Sequence, residues 1–209
     1  MTPESRLRLD VWSDYVCPFC YLEVPLIERL SAEFGAALEV YWHAFELRPE
    51  PVPTLDPDGE YLHRVWDQSV YPMARQRGMT LKLPPVQPRS RKAFEMAEFA
   101  RGKGRFDGAH RGLFKAFFED GRDLSNIEVL LEIGVAVSLD SSELRAALAQ
   151  NTYLQCVIDE GRQAENLHIT AIPTSLIRQA KAPVEEAEAI RGAQPYDVLK
   201  AAVERAIGR

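Results

Sequence analysis

Cysteine is scarce in this chain: three among 209 residues, at positions 17, 20 and 156, too few for the disulfide framework of a small secreted domain. No apolar run approaches the length of a membrane span, and Met1-Thr2-Pro3-Glu4-Ser5-Arg6 lacks the apolar stretch of a signal peptide. These absences lead us to expect a cytoplasmic protein that does not engage a membrane. Positive charge is not in excess either. Lys and Arg number 25 against 31 Asp and Glu, a formal net charge of −6, which argues against a nucleic-acid surface. The basic run Arg89-Ser90-Arg91-Lys92 is short and reads as solvated helix face. There is no internal repeat and no low-complexity segment. What remains, 46% apolar and 27% charged, is the composition of a globular domain large enough to carry an insertion.

The most informative stretch present is Cys17-Pro18-Phe19-Cys20. Before it, Leu7-Arg8-Leu9-Asp10-Val11-Trp12 alternates as a strand does, and Pro18 is favoured at the first position of a helix. The two thiols therefore belong at a helix N-terminus, where free N–H groups and the macrodipole favour thiolate over thiol. Cys17 is the expected nucleophile. Cys20, three residues on, lies on the same helix face, within reach of a mixed disulfide on Cys17, and is the expected resolving thiol. The blander readings are a metal site or two structural cysteines. Only Cys156 and four scattered histidines could complete a metal site, and none forms a second CxxC or an HxxxH, so no metal is expected.

A strand over about residues 6–12, a helix from Pro18 to about Phe34 containing Pro25, and a strand over Leu38 to Phe45 suggest a parallel βαβ unit. Prolines from Pro49 to Pro57 and at Pro84, Pro85 and Pro88 break the pattern. Between Glu60 and Asn166 the chain otherwise reads as helix, with segments at 93–101, 109–118, 126–137, 141–149 and 152–166 and with Ser125, Asp140 and Asn151 as candidate caps. Strand character returns at His168-Ile169, at Thr174 to Ile177 and, more weakly, at 187–191, before an amphipathic helix over 195–207. The division is thus residues 1–48 with 167–209 as one domain, and 49–166 as a helical insertion.

A βαβ unit carrying CxxC, a helical insertion and a closing ββα resemble the thioredoxin-like fold of the DsbA family. The runs Asp10-Val11-Trp12-Ser13-Asp14, Cys17-Pro18-Phe19-Cys20-Tyr21, Phe45-Glu46-Leu47, Ile172-Pro173-Thr174 and Gly192-Ala193-Gln194-Pro195 together resemble its FrnE-like branch, in order and over essentially the whole chain. The resemblance implies an α/β thioredoxin-like fold and a thiol–disulfide oxidoreductase acting on protein or small-molecule disulfides. It implies no bound cofactor, with glutathione or a dithiol reductant as redox partner. It also makes Pro173 a catalytic cis proline rather than an ordinary turn proline, with Ile172 and Thr174 beside it and Phe19 in the active loop as substrate contacts. Two departures matter. The dipeptide Pro18-Phe19 lacks the histidine associated with DsbA itself. That places the potential between roughly −270 and −120 mV, nearer the former, and points to reduction or isomerisation of disulfides. Asp10 fits the buried carboxylate held under the resolving cysteine, a possible proton acceptor, only if the turn before Cys17 is one residue longer. The alternative is an edge-exposed or hydrogen-bonded structural aspartate.

Other residues keep two readings. Cys156 reads as a buried, inert thiol rather than a regulatory one, and His43 and His168 as satisfied histidines rather than proton shuttles. Trp12, Trp42, Trp66, Tyr15 and Tyr21 fill core or line a groove, and Asp14 holds its own turn or polarises it. Two other functions compete. A glutathione-dependent isomerase or transferase, similar to the 2-hydroxychromene-2-carboxylate isomerase and kappa-class relatives, typically has serine where Cys17 stands. A non-enzymatic peptide-binding holdase would use the groove and not the thiols. Oligomeric state is open.

Overall fold

The computed structural model describes residues 7–208; Arg6, placed at the start of the first strand by its sequence, lies outside them. Strand β1 (Leu7–Ser13) leads into helix α1 (Pro18–Phe34), which runs on through the exposed Pro25, and then into β2 (Leu38–Ala44). The insertion carries α2 (Glu60–Val65), a π-helical turn at Trp66–Val70, α3 (Tyr71–Gln76), α4 (Arg91–Gly102), α5 (Phe106–Phe118), α6 (Ile127–Ala136), α7 (Ser141–Ala149) and α8 (Leu154–Asn166). The chain closes with β3 (Thr174–Gln179), β4 (Glu188–Arg191) and α9 (Tyr196–Ile207). β1 and β2 pair in parallel, as a βαβ crossover requires, while β3 is antiparallel to both β1 and β4, giving the order β2-β1-β3-β4.

One face of the sheet presents Leu7, Leu9, Val11 and Ile177 to Ile27 and Leu30 of α1 and to Leu199 and Val203 of α9. Trp12 and Leu176, on the opposite face, pack against Ala164 of α8. The third cluster is the largest and joins the two segments: Cys20, Tyr21, Leu22 and Val24 of α1 pack with Trp66, Val70, Phe114 and Phe118 of the insertion. This explains why residues 20–24 are all buried, where an amphipathic helix alone would expose one side. The first half of α1 lies between sheet and insertion.

Three local expectations need correcting. His168-Ile169 is not a strand: His168 has φ 55°, and the two N–H groups return to Glu165 O and Ala164 O to close α8. The cap of α6 is Asn126, whose side chain accepts from Glu128 N, while Ser125 is bonded to Asp123. Asn151 does not cap α8; it accepts from Lys92 instead. Asp140 caps α7 as expected.

Candidate active site

Cys17 is the N-cap of α1, with extended backbone (φ −98°, ψ 113°), and Pro18 occupies the first helical turn. The N–H groups of Cys20 and Tyr21 both return to Cys17 O, and Cys17 N donates to Asp14 O, so the loop is held tightly at the helix start. Both cysteines are free thiols; Cys17 is 4% exposed and Cys20 fully buried. The Cys17 thiol points at the carbonyl of Ile172, with Sγ···O 4.0 Å, and the Ile172–Pro173 bond is cis. Gly192 N donates to Pro173 O at 2.8 Å, pinning the proline loop to the turn after β4. Burial, reinforced by the adjacent Cys17 thiol, holds the Cys20 thiol well above its ordinary pKa, against the Asp14 N–H and the Ser13 hydroxyl.

The candidate contacts separate. Phe19 and Ile172, both half-buried, line with Cys17 a cavity of about 310 Å³ between the thioredoxin-like part and the insertion. Thr174 does not: it is buried, and its hydroxyl donates to Ala171 O, closing the proline loop from within. Of the aromatics weighed from sequence, Trp66 joins the lining, whereas Trp12, Tyr15 and Tyr21 are core.

Asp10 is not beneath the thiols. Side chains alternate across a strand, so Asp10 projects to the α8 face while α1 covers the Leu9 and Val11 face. There its carboxylate accepts from Arg8 at 2.7 Å, His43 at 3.0 Å and Arg178 at 3.2 Å. Burial alone would raise the Asp10 pKa, but the bonds from His43 and Arg8 outweigh it and lower it. The hydrogen-bonded structural aspartate is the correct reading. His43 bridges Asp10 to Glu160 of α8 and stacks on Trp12 with ring centroids 4.2 Å apart. Burial would lower its pKa, yet the two carboxylates outweigh that and raise it, as befits a satisfied histidine. Cys156 is exposed, not buried, because α8 turns Val157 and Ala164 inward.

Two carboxyls near the thiols carry more than their sequence signal suggested. Asp14 is fully buried and accepts from Val16 N at 3.2 Å and from Leu47 N at 2.7 Å, joining the thiol loop to the segment after β2. Burial pushes it up to about 7, against the Leu47 and Val16 N–H groups and the Ser90 hydroxyl. Glu23, one turn beyond Cys20, was missed altogether, although a charged residue set between Leu22 and Val24 in an apolar helix was its signal. It is 1% exposed, its Oε2 has no hydrogen-bond partner, and burial pushes it up to about 8, only partly offset by Arg77. Arg77 itself donates to Leu22 O, Ala193 O and Gln194 O. Among the described residues there is no group of three or more His, Cys, Asp or Glu able to hold a metal ion.

A dithiol at the first helix of a βαβ unit, set beside a cis-proline loop on the wall of a largely apolar cavity, defines a thioredoxin-fold thiol site. Residues 8–204 match the family of the DSBA-like thioredoxin domain, and the chain belongs to it. It is 34% identical over 205 residues to the uncharacterized protein YwbO of Bacillus subtilis, covering 94% of this chain and 96% of that one. Several solved structures share the fold. A probable DsbA oxidoreductase from Streptomyces coelicolor superimposes with a TM-score of 0.80 at 24% identity, covering 98% of this chain and 91% of the other. The cytosolic disulfide reductase DsbM from Pseudomonas aeruginosa, also solved with GSH, superimposes at 0.69 and 19% identity, covering 95% and 100%.

Proposed function

We propose that this protein is a cytoplasmic thiol–disulfide oxidoreductase that reduces or isomerises disulfides of proteins or small molecules through Cys17 and Cys20. The observation that carries the reading is the placement of the pair: Cys17 on the cavity wall beside Ile172 O, and Cys20 fully buried one helical turn on. A substrate R–S–S–R′ entering the cavity is attacked by the Cys17 sulfur, forming a Cys17–S–S–R mixed disulfide and releasing R′–S⁻. Cys20 then attacks Cys17, releasing R–S⁻ and leaving a Cys17–Cys20 disulfide, so two electrons pass from protein to substrate. Two molecules of glutathione, leaving as glutathione disulfide, or one dithiol reductant return the pair to thiols; the cytosolic DsbM, solved with GSH, is the precedent for both the compartment and the partner. Phe19 and Ile172 position the substrate, and Pro173 holds the Ile172 carbonyl in place. No helix among the described residues is long and apolar enough to cross a membrane.

The test is a titration in graded glutathione buffers, with thiols trapped by a mass tag and species read by intact mass. The expected result is a two-electron transition to an internal Cys17–Cys20 disulfide, with Cys20→Ser accumulating a glutathione adduct on Cys17 and Cys17→Ser inactive as a reductase. Full reductase activity in Cys17→Ser would refute it. Tight glutathione binding without an internal disulfide would replace it with the isomerase or transferase reading.

A further inference from the structure

The segment after β2 is fastened at three successive residues. Glu46 takes both Nε and Nη2 of Arg91, at 2.8 and 2.6 Å, Leu47 N donates to Asp14, and Arg48 O accepts from Arg89 at 2.7 Å. The bonds tie the segment to the thiol loop at Asp14 and to the entry of α4 at Arg89 and Arg91, so Leu47 and Arg48 are held against the cavity as part of its wall. The Arg48 side chain is the exception to this pairing: its guanidinium has no hydrogen bond or ion pair with any described residue. It is half-buried and lines the cavity, whose described lining residues include no acidic side chain and no other cation. The remaining wall is chiefly apolar, from Phe19, Leu62, Val65, Trp66 and Phe118. In a chain with a net charge of −6, an arginine left without a carboxylate beside an apolar wall is a site waiting for an anion.

We propose that this cavity selects low-molecular-weight disulfides in which one sulfur carries an apolar body of aromatic size and a carboxylate, with Arg48 binding the carboxylate and the Phe19 and Trp66 wall covering the apolar part. The inference rests on the oxidoreductase reading and names its substrate class. About 310 Å³ is at the lower end of small-molecule sites and too small for more than a residue or two of a polypeptide. Arg48 fixes which half of an unsymmetrical disulfide lies in the cavity, and so which sulfur meets Cys17. The carboxylated half becomes the mixed-disulfide partner on Cys17, and the other half leaves first as thiolate. Cys20 then expels the carboxylated thiolate, and the electron balance is that given above.

The experiment is a single-turnover reaction of the reduced Cys156→Ser protein, since exposed Cys156 would react on its own. The probes are a nitrobenzoate aryl disulfide and its carboxamide analogue, matched in ring and leaving sulfur, with thiolate release read by absorbance. The expected result is that Arg48→Gln slows the carboxylate probe by about tenfold or more while slowing the carboxamide by less than about threefold, the difference due to a charge-assisted bond. Arg48→Lys falls between, and Arg105→Gln, an exposed charge far from the site, separates the two probes no more than the parent does. If Arg48→Gln slows both probes equally, or neither, the inference is wrong. A disulfide peptide that reacts faster than the carboxylate probe and is insensitive to Arg48 would assign the cavity to polypeptide. Absence of thiolate release from every probe would instead sink the oxidoreductase reading beneath it.

Discussion

Glu23 and Asp14 are buried carboxyls whose environment pushes their pKa values up, to about 8 and about 7. The Glu23 carboxyl titrates near 4.5 when unfolded and about 8 when folded. Between those values the folded protein keeps a proton that the unfolded chain has released, so stability falls as pH rises through that window. Glu23→Gln removes the dependence. Its melting temperature relative to the parent is expected to climb from pH 5 to pH 9 by about 8–16 °C, on the order of 4 kcal/mol. A difference that stays flat across pH would show that Glu23 is ionised in the fold. Asp14 tests hydrogen bonding instead. Asparagine supplies one carbonyl oxygen for two backbone donors, Val16 N and Leu47 N, and turns its NH₂ toward one of them. Asp14→Asn is expected to lose about 2 kcal/mol in urea unfolding and to slow the Cys17 reaction as the Leu47 wall loosens.

Helices α5 and α6 of the insertion meet through a glycine. A Cβ at Gly112 would lie 2.8 Å from Ile133 Cγ2, a β-branched methyl fixed close to its own backbone. Gly112→Ala should therefore destabilise by about 1–3 kcal/mol despite alanine's higher helix propensity, while thiolate release by Cys17 in the folded protein stays at the parent's rate. A melting curve unchanged or raised would mean that the α5–α6 contact yields freely. Helix α1 shows the complementary case, in which an element is defined from two sides. Its later apolar positions Ile27 and Leu30 turn to the sheet, while Cys20, Tyr21, Leu22 and Val24 in its first half are buried under the insertion.

At the scale of the molecule, the largest apolar cluster crosses the boundary between the thioredoxin-like part and the insertion, and the candidate site lies on that boundary. Removing either side would expose the apolar surface of α1 and of the aromatic helices, at roughly 25 cal/mol per Å². The two parts are expected to unfold together. The tryptophans report on both, Trp12 and Trp42 in the sheet and Trp66 in the insertion. Their fluorescence in the single-tryptophan variants and the far-UV circular dichroism should share one urea midpoint. An earlier transition at Trp66 would show an insertion that opens by itself.

Period-two and period-3.6 patterns, with Pro18 and Gly35 as punctuation, were sufficient by themselves to place β1, α1, β2, β3, α9 and most insertion helices within a few residues. These signals are local, and burial on one face leaves a direct imprint on residue spacing. The CxxC pair was legible for the same reason, since it is written in four adjacent letters, whereas the cis bond before Pro173 was expected only from the resemblance to the DsbA family. Which face of β1 lies under the thiols is not written locally. That depends on where α1 crosses the sheet, and it turned Asp10 away into a bond network with Arg8, His43 and Arg178. The exposure of Cys156, the irregular path of His168-Ile169, the burial of Glu23 and the unpaired Arg48 on the cavity wall were likewise decided by tertiary structure. Each depends on what a distant segment brings alongside, and a charge or thiol carries no mark in the sequence of the neighbour it will meet.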